Sequence, residues 1–217
     1  MVPAAALPPA LATFLAREEQ ARLAGFVRAT RRLQWLGGRL VAKHALGRLL
    51  PSEACSPARI VITPGASGEP LLCSGLWGNV SPLVSISHGG AYALALAACE
   101  PPCGVDIQQV VPTLLRVRHR FCNVDEEAML AQTLTGLNES ERLGLLWSAK
   151  EAGKKALFPA RAGIAFLRLV AVVPDPPGWR LHLADEEGDV RVVLHGRLLN
   201  DHCLAWTGEE RRVKGEG

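Results

Sequence analysis

Aromatic side chains are scarce in this chain of 217 residues, where five Trp, five Phe and one Tyr make up 5%. The core must therefore come mainly from aliphatic residues. The longest apolar stretch, Ala91–Cys99, is too short to cross a bilayer, so no membrane span is expected. The start of the chain has no basic segment and is broken by Pro3, Pro8 and Pro9, which argues against a secretory signal or transit peptide. With 48% hydrophobic and 21% charged residues, the chain is not of the disordered type.

Paired metal-binding cysteines are also missing. The six cysteines are scattered, none forms a CxxC pair, and no His–Cys spacing matches a zinc site. In a chain of this size, the pattern is typical of reduced, buried thiols in a cytoplasmic protein.

Acidic residues are absent from one long segment of an otherwise nearly balanced chain. The net charge is +3, yet between Glu19 and Glu53 every charged residue is basic: Arg22, Arg28, Arg31, Arg32, Arg39, Lys43 and Arg48. This segment indicates an anionic ligand or an acidic partner surface, although a solvated helix face has the same pattern. The neutral second half and the lack of interleaved aromatics argue against nucleic-acid binding.

Hydrophobic periodicity predicts a helix followed by strands in each half of the chain. The first half has a helix over 17–50, with Gly37 and Gly38 inside it and Pro51 at its end; strands are predicted at 59–63, 83–87, 92–99 and 104–108. In the second half we expect helices over 118–133 and 140–157, then strands at 164–173, 179–184, 190–195 and 203–207. This order predicts an α+β fold of two similar halves, 1–108 and 109–217.

Three short motifs could carry chemistry. Ser85–Gly90 (SISHGG) offers hydroxyls, an imidazole and room for a phosphate, but also fits a polar hairpin turn. In Gly104–Gln108 (GVDIQ), Asp106 and Gln108 share one strand face, which suits a hard cation or an ordinary alternating strand.

The third motif is WSAKEAGKK, from Trp147 to Lys155. Trp147, Glu151 and Lys155 share a helix face at steps of four residues. The glutamate suits a metal ligand or general base, and the lysine suits a phosphate. A surface Glu–Lys pair is the alternative.

Taken together, the motifs resemble those of the Sfp-type 4′-phosphopantetheinyl transferase family. The family carries a GR–L motif in an early helix, a Gly-x-Pro loop, an (N/S)xSHS/G turn, a G(I/V)D(I/V)E strand and a WSxKEAxxK helix. The corresponding stretches here, in the same order, are Gly38–Leu40, Gly68–Pro70, Ser85–Gly89, Gly104–Gln108 and Trp147–Lys155.

The resemblance implies a fold of two pseudo-symmetric α/β halves with the active site in the cleft between them. It implies transfer of phosphopantetheine from coenzyme A to a serine of an apo acyl or peptidyl carrier protein. Mg²⁺ would be required, and adenosine 3′,5′-bisphosphate would be released. It further implies a cytoplasmic monomer without nucleic-acid or membrane partners.

The resemblance also assigns individual roles. Asp106 and Glu151 match the metal-binding carboxylates, with Gln108 as a neutral third position. Lys155 matches a lysine on the coenzyme A phosphates. Glu126 or Glu127 matches a glutamate near the metal, and the spacing from Phe121 favours Glu126. The remaining cofactor-binding candidates are Arg39, Lys43, Ser87, His88 and Lys150, with Arg28, Arg31 and Arg32 weaker.

Two positions depart from the family pattern. Gln108 stands where the family usually has an acid, which removes one anionic metal ligand, and Glu69 stands where the Gly-x-Pro loop often has Lys. These departures leave open a non-catalytic module that binds coenzyme A or nucleotide phosphates. We further expect Glu151, then Glu126, to accept the proton from the carrier serine.

Overall fold

The computed structural model describes residues 13–50, 56–73, 76–78 and 81–208. The α-helices are α1 Arg17–Ala24, α2 Ala29–Gly47, α3 Thr113–Val117, α4 Val124–Thr133 and α5 Glu139–Leu157. The strands are β1 Ile62–Pro64, β2 Pro70–Leu72, β3 Leu83–Gly89, β4 Tyr92–Ala98, β5 Val105–Gln109, β6 Arg168–Asp175, β7 Gly178–Ala184, β8 Arg191–Leu199 and β9 His202–Thr207.

The strands form three antiparallel sheets. The largest has the order β5-β9-β8-β7-β6, while β1 pairs with β2 and β3 with β4. Helix α5 packs on the five-stranded sheet, and α2 packs on the β3–β4 hairpin. Each helix therefore covers one face of a sheet that could not be stable alone.

Two hydrophobic clusters correspond to these layers. The larger is dominated by the buried face of α5 and the sheet residues beneath it: Leu143, Leu145, Leu146, Ala149, Ala152, Leu181, Leu183, Leu194, Cys203 and Ala205. The smaller joins Ala42 and Leu46 of α2 to Ile60, Ile62 and Val84. Aliphatic side chains build most of both clusters, as the composition predicts.

Strand β3 is attached to β5 through two serine hydroxyls rather than through a backbone ladder. The Val105 amide donates to Ser85 Oγ over 3.0 Å, and the Ile107 amide donates to Ser87 Oγ over 3.3 Å. A β-carbon on Gly89 would lie 2.7 Å from the Ile107 carbonyl oxygen, so only glycine allows the strands to approach this closely there.

The α+β class is confirmed. The prediction of one continuous helix over 17–50 is wrong, because the segment forms two helices, α1 and α2. The chain leaves α1 at Gly25, whose amide donates to the Arg22 carbonyl, while the Phe26 amide donates to the Leu23 carbonyl, and α2 begins at Ala29. The break folds α1 back towards α2, where the two helices make contact. Pro51, predicted to end the helix, lies outside the described residues.

The other boundaries differ in smaller ways. The helix predicted over 118–133 is interrupted at Phe121–Asn123, because Asn123 caps α4 by accepting the Glu126 amide. The strand expected at 59–63 begins only at Ile62, after a 3₁₀ turn at Pro57–Arg59. Helix α3 and strand β2 were not expected.

The division at residue 108 stays a prediction, as does the pseudo-symmetry of the halves. Strand β5 lies in the first half except for its last residue, Gln109, but it hydrogen-bonds to β9 in the second half. In the part of the chain that is described, no helix is long and apolar enough to cross a membrane.

Candidate active site

The motif on β5 and the motif on α5 meet at a carboxylate. Lys155 Nζ lies 2.7 Å from Asp106 Oδ1 and donates to the Val105 carbonyl over 3.1 Å. The Ser87 hydroxyl donates to the same Oδ1 over 2.6 Å. Asp106 is almost fully buried and Lys155 is 30% exposed, so the lysine stands at the mouth of the site.

Strand register explains why Asp106 faces α5. Its cross-strand partner, Ala205, belongs to the core beneath α5, and paired residues share a sheet face. Gly104 brings the two elements together, since a β-carbon there would collide with the Ala152 carbonyl and with the Ala156 methyl.

Glu151, one helical turn before Lys155, completes the carboxylate pair. Burial is the main cause of the raised pKa of Glu151, and repulsion from Asp106 raises it further; Lys155 and Lys154 act in the opposite direction. A site that forces two carboxylates together in partial isolation from water favours a cation between them.

The donor set fits a magnesium ion rather than a metal held wholly by protein. Among the described residues there is no group of three or more His, Cys, Asp or Glu side chains suited to a metal. Mg²⁺ commonly uses one or two carboxylates and completes its shell with waters and substrate phosphates. Asp106 and Glu151 would supply such a pair.

Gln108 lies on the same face of β5 as Asp106, two residues along. Its side-chain amide group donates to the Gln109 carbonyl over 2.7 Å. The predicted contribution of Gln108 to a metal stays a prediction.

A cationic pocket of about 290 Å³ opens on the other side of β3. Its positively charged or titratable wall residues are Arg22, Arg31, Arg39 and His88. Phe26 and Trp35 add aromatic surface, while Gly68 and Pro70 bring in the Gly-x-Pro loop. The motifs of the early helix, this loop and the SISHGG turn thus surround one cavity suited to a phosphorylated aromatic ligand.

One face of α2 lines this pocket at helical spacing: Arg31, Gln34, Trp35, Gly38 and Arg39. Of the weaker candidates from the sequence, Arg31 is in the wall, whereas Arg32 is not. Arg22 was missed as a candidate because it belongs to α1, and only the helix break brings it to the cavity.

The two β3 candidates point in opposite directions. Ile86 and His88 line the pocket, so His88 is where a phosphate-binding role requires it. Ser85 and Ser87 occupy the alternate face and contact β5. The predicted cofactor contact of Ser87 therefore gains no support, since its hydroxyl is bonded to Asp106.

Arg39 and Lys43 share a buried partner, Glu19. Lys43 is 1% exposed, pairs with Glu19, and donates to the carbonyls of Phe14 and Pro57. Such contacts are those of a structural lysine, not of the predicted phosphate ligand.

Arg39 differs from Lys43 because it also reaches the pocket. Its Nε lies 3.6 Å from Glu19 and has no hydrogen-bond partner in the part of the chain described. Burial is the main cause of its lowered pKa, with Glu19 opposing the shift. An anion in the pocket would offset this desolvation.

Lys150 and Glu126 form a second buried pair away from the carboxylate centre. Lys150 Nζ lies 2.7 Å from Glu126 Oε1 and donates to the Phe121 carbonyl over 2.6 Å. Glu126 also accepts the amides of Leu169 and Asn123. These contacts support structural roles for both side chains, rather than the cofactor and catalytic roles predicted.

Glu69 is turned away from the cavity. Its carboxylate accepts the Ser67 amide over 2.9 Å, while the neighbouring Gly68 and Pro70 line the pocket. The negative charge that replaces the usual lysine is therefore engaged in stabilising the loop turn.

The α+β fold thus sets a carboxylate pair and a lysine on one side of β3 and a cationic pocket on the other, an arrangement suited to a phosphorylated ligand. Residues 102–207 match the sequence profile of the 4′-phosphopantetheinyl transferase superfamily. A Synechocystis sp. protein named "Putative 4′-phosphopantetheinyl transferase slr0495" is 29% identical over 204 residues, which cover 93% of this chain and 78% of the relative. These matches confirm the predicted family and the predicted enzyme class, a transferase; the Sfp-type subdivision stays a prediction.

Proposed function

We propose that this protein transfers the 4′-phosphopantetheine group of coenzyme A to a serine hydroxyl of an apo acyl or peptidyl carrier protein. Adenosine 3′,5′-bisphosphate is the second product. The observation that carries the proposal is that adjacent residues of β3 reach both parts of the site: Ser87 contacts Asp106, and His88 lines the cationic pocket. One extended ligand with a phosphorylated nucleoside and a diphosphate can therefore occupy both.

The pocket would hold the nucleotide end. The 3′-phosphate carries ~−1.5 to −2 charge at neutral pH. Arg31, Arg39 and His88 are the groups that would bind it, and Trp35 offers a surface for the adenine. The diphosphate would then extend past β3 towards Asp106.

At the carboxylate centre, a serine oxygen of the carrier attacks the phosphorus that bears the pantetheine arm, and the bond to the bridging diphosphate oxygen breaks. Mg²⁺, held by Asp106 and Glu151, would supply charge neutralisation on the diphosphate. Lys155 would stabilise the same developing charge. The nucleophile comes from the partner, which agrees with the absence of a convincing nucleophile–base motif in this sequence.

Glu151 is our choice for the group that accepts the serine proton, directly or through a water. It lies one helical turn before Lys155 and interacts electrostatically with Asp106, so it stands at the proposed reaction centre. Glu126, the second choice from the sequence, already uses both oxygens for Lys150, Leu169 and Asn123.

An acidic carrier would dock beside Arg116, Arg118 and Arg120. Arg118 already pairs with Glu127 and Glu139. We therefore favour Arg116 and Arg120 as the docking groups. We also propose a cytoplasmic monomer; the described cysteines, Cys73, Cys99, Cys103, Cys122 and Cys203, are all free, as a reducing compartment requires.

The test is intact mass spectrometry of an apo carrier protein after incubation with the chain, coenzyme A and Mg²⁺. We expect a gain of one phosphopantetheine, lost with Glu151→Ala and with chelator. Coenzyme A binding without any gain on several carriers would contradict the proposal and favour the non-catalytic module.

A further inference from the structure

Asp106 is held by two groups from different elements. Ser87 donates to it from β3, and Lys155 donates to it from α5. Both hydrogen bonds end on the same carboxylate oxygen, Oδ1. The Ser87 bond is the shorter, at 2.6 Å, and both of its residues are 6% exposed. This bond is therefore protected from competition with water.

The Ser87 hydroxyl is itself fixed. Its oxygen accepts the Ile107 amide, which directs its one proton towards Asp106. The chain of bonds runs from the β5 backbone through Ser87 to the carboxylate of the preceding β5 residue. It limits rotation of the Asp106 side chain and keeps Oδ1 occupied.

We propose that Ser87 is a positioning residue that orients Asp106 for the divalent cation, rather than a contact for the nucleotide. The inference rests on the proposed function, in which Asp106 and Glu151 hold that cation. Hydrogen bonds that orient metal-binding carboxylates typically affect metal affinity about 10–100-fold. Without the Ser87 bond, the Asp106 carboxylate can rotate, and it must lose that rotational freedom when the cation binds. The affinity for the cation is therefore lower.

Ser85 provides a matched control on the same strand face. Its hydroxyl also accepts a β5 amide, from Val105, over 3.0 Å, and it is 3% exposed. Ser85 thus shares the docking role of Ser87 but has no carboxylate contact. Comparison of the Ser85 and Ser87 variants therefore separates the effect of losing a hydrogen bond between β3 and β5 from the effect of losing the hydrogen bond to Asp106.

The experiment measures Mn²⁺ affinity by isothermal titration and electron paramagnetic resonance, together with thermal unfolding. The set is wild type, Ser87→Ala, Ser87→Thr, Ser87→Cys, Ser85→Ala and Glu151→Ala. We expect about 10-fold or greater weakening of Mn²⁺ binding in Ser87→Ala, partial weakening in Ser87→Cys and recovery in Ser87→Thr. Ser85→Ala should lower thermal stability comparably but keep Mn²⁺ affinity within about twofold.

Coenzyme A affinity provides the second readout. If Ser87 contacted the nucleotide, Ser87→Ala would weaken metal-free coenzyme A binding while leaving Mn²⁺ affinity intact, and the inference would be overturned. Equal losses of Mn²⁺ affinity in both alanine variants would overturn it too. If Ser87→Ala fails to fold, the size-matched Ser87→Cys decides, since wild-type affinity there rejects the inference.

Failure of the proposed function gives a different result. A wild-type chain that neither binds Mn²⁺ nor modifies a carrier overturns both proposals. A wild-type chain that binds Mn²⁺ and transfers the group, with unchanged Mn²⁺ affinity in folded Ser87→Ala, overturns only the role of Ser87.

Discussion

At the scale of single residues, the environment of Glu151 has consequences for both stability and catalysis. The raised pKa means that the native state holds this proton more tightly than the unfolded state. The free energy of unfolding therefore falls as the pH rises from 4.5, the ordinary pKa of a glutamate, through the native pKa of Glu151. It stays at the lower value at higher pH. A bound cation would remove this penalty.

Glu151→Gln should therefore separate stability from activity. We expect transfer to fall about 10²–10⁴-fold, because the base and one cation ligand are lost. The metal-free variant should be more stable than the metal-free wild type at pH 8, with the difference shrinking towards pH 4. Thermal unfolding across this pH range and timed mass spectrometry measure the two effects.

Glu187→Gln, which alters an exposed loop carboxylate, is the control and should change stability by no more than about 0.5 kcal/mol. A Glu151→Gln protein that is less stable than wild type at pH 8 would contradict the argument.

Variants of Arg31 and Arg32 test whether the cationic pocket binds the nucleotide, because of these two neighbours only Arg31 lines it. Arg31→Ala should weaken coenzyme A binding about 10-fold, or ~1.4 kcal/mol, through loss of a charged contact to phosphate. Arg32→Ala should change it less than about twofold. Isothermal titration measures both, and the reverse order would show that the ligand lies on the other side of α2.

At the scale of elements, the approach of α5 to β5 decides whether the candidate catalytic groups meet. Glu151 and Lys155 were predicted to share a face because helical spacing fixes their directions. The partner of that face could not be predicted, since it depends on how Gly104 admits the backbone of α5.

Gly104→Ala should displace α5 from β5. The added methyl meets the Ala152 carbonyl, so we expect a loss of about 1–3 kcal/mol in the free energy of unfolding. The rate of transfer should fall by more than the loss of folded protein explains, because Lys155 and Glu151 move relative to Asp106.

Gly136→Ala is the matched control, since a β-carbon there meets nothing within 4 Å of the described chain. Denaturant unfolding and transfer assays at a temperature where both variants are folded provide the comparison. Normal activity in a destabilised Gly104→Ala would show that the close approach is not needed for the site.

Loops and helix ends were the least predictable elements. The capping residue Asn123 and the turn at Gly25 carry sequence signals that a long helical pattern conceals. Strand β2 has three residues and depends on pairing with β1, a contact that local propensity does not determine.

At the scale of the whole molecule, buried ion pairs connect segments far apart in the chain. Lys150 of α5 reaches Glu126 of α4, which in turn accepts the amide of Leu169 in β6. Because Lys150 precedes Glu151, this pair also fixes the helix that carries the candidate base. The WSAKE motif thus combines a packing residue with a catalytic candidate.

Lys150→Met should cost about 3–5 kcal/mol in the free energy of unfolding, since it leaves the Glu126 charge buried without its partner. Adding Glu126→Gln should restore part of that loss, and a double-mutant cycle measures the coupling. In contrast, Glu186→Gln, which breaks the half-exposed pair with Arg161, should cost about 0–1 kcal/mol. Additive effects of the Lys150 and Glu126 changes would contradict a direct pair.

The sequence by itself determined the α+β class, the likeness to the family and the candidate positions for the chemistry. Those features depend on residue type, charge and periodicity, which are local. Alternation on β5 placed Asp106 and Gln108 on one face, and helical spacing aligned Glu151 with Lys155.

Only the tertiary structure decided which basic and acidic groups remain available to a ligand. Lys43 and Arg39 looked alike along one helix, yet the fold buries Lys43 against Glu19 and two backbone carbonyls and leaves Arg39 at the pocket. Likewise, Ser87 and His88 are neighbours in one motif, but β3 separates them between the carboxylate and the cavity. A buried charge takes the partner that packing brings to it, and packing joins residues whose separation along the chain gives no sign of their contact.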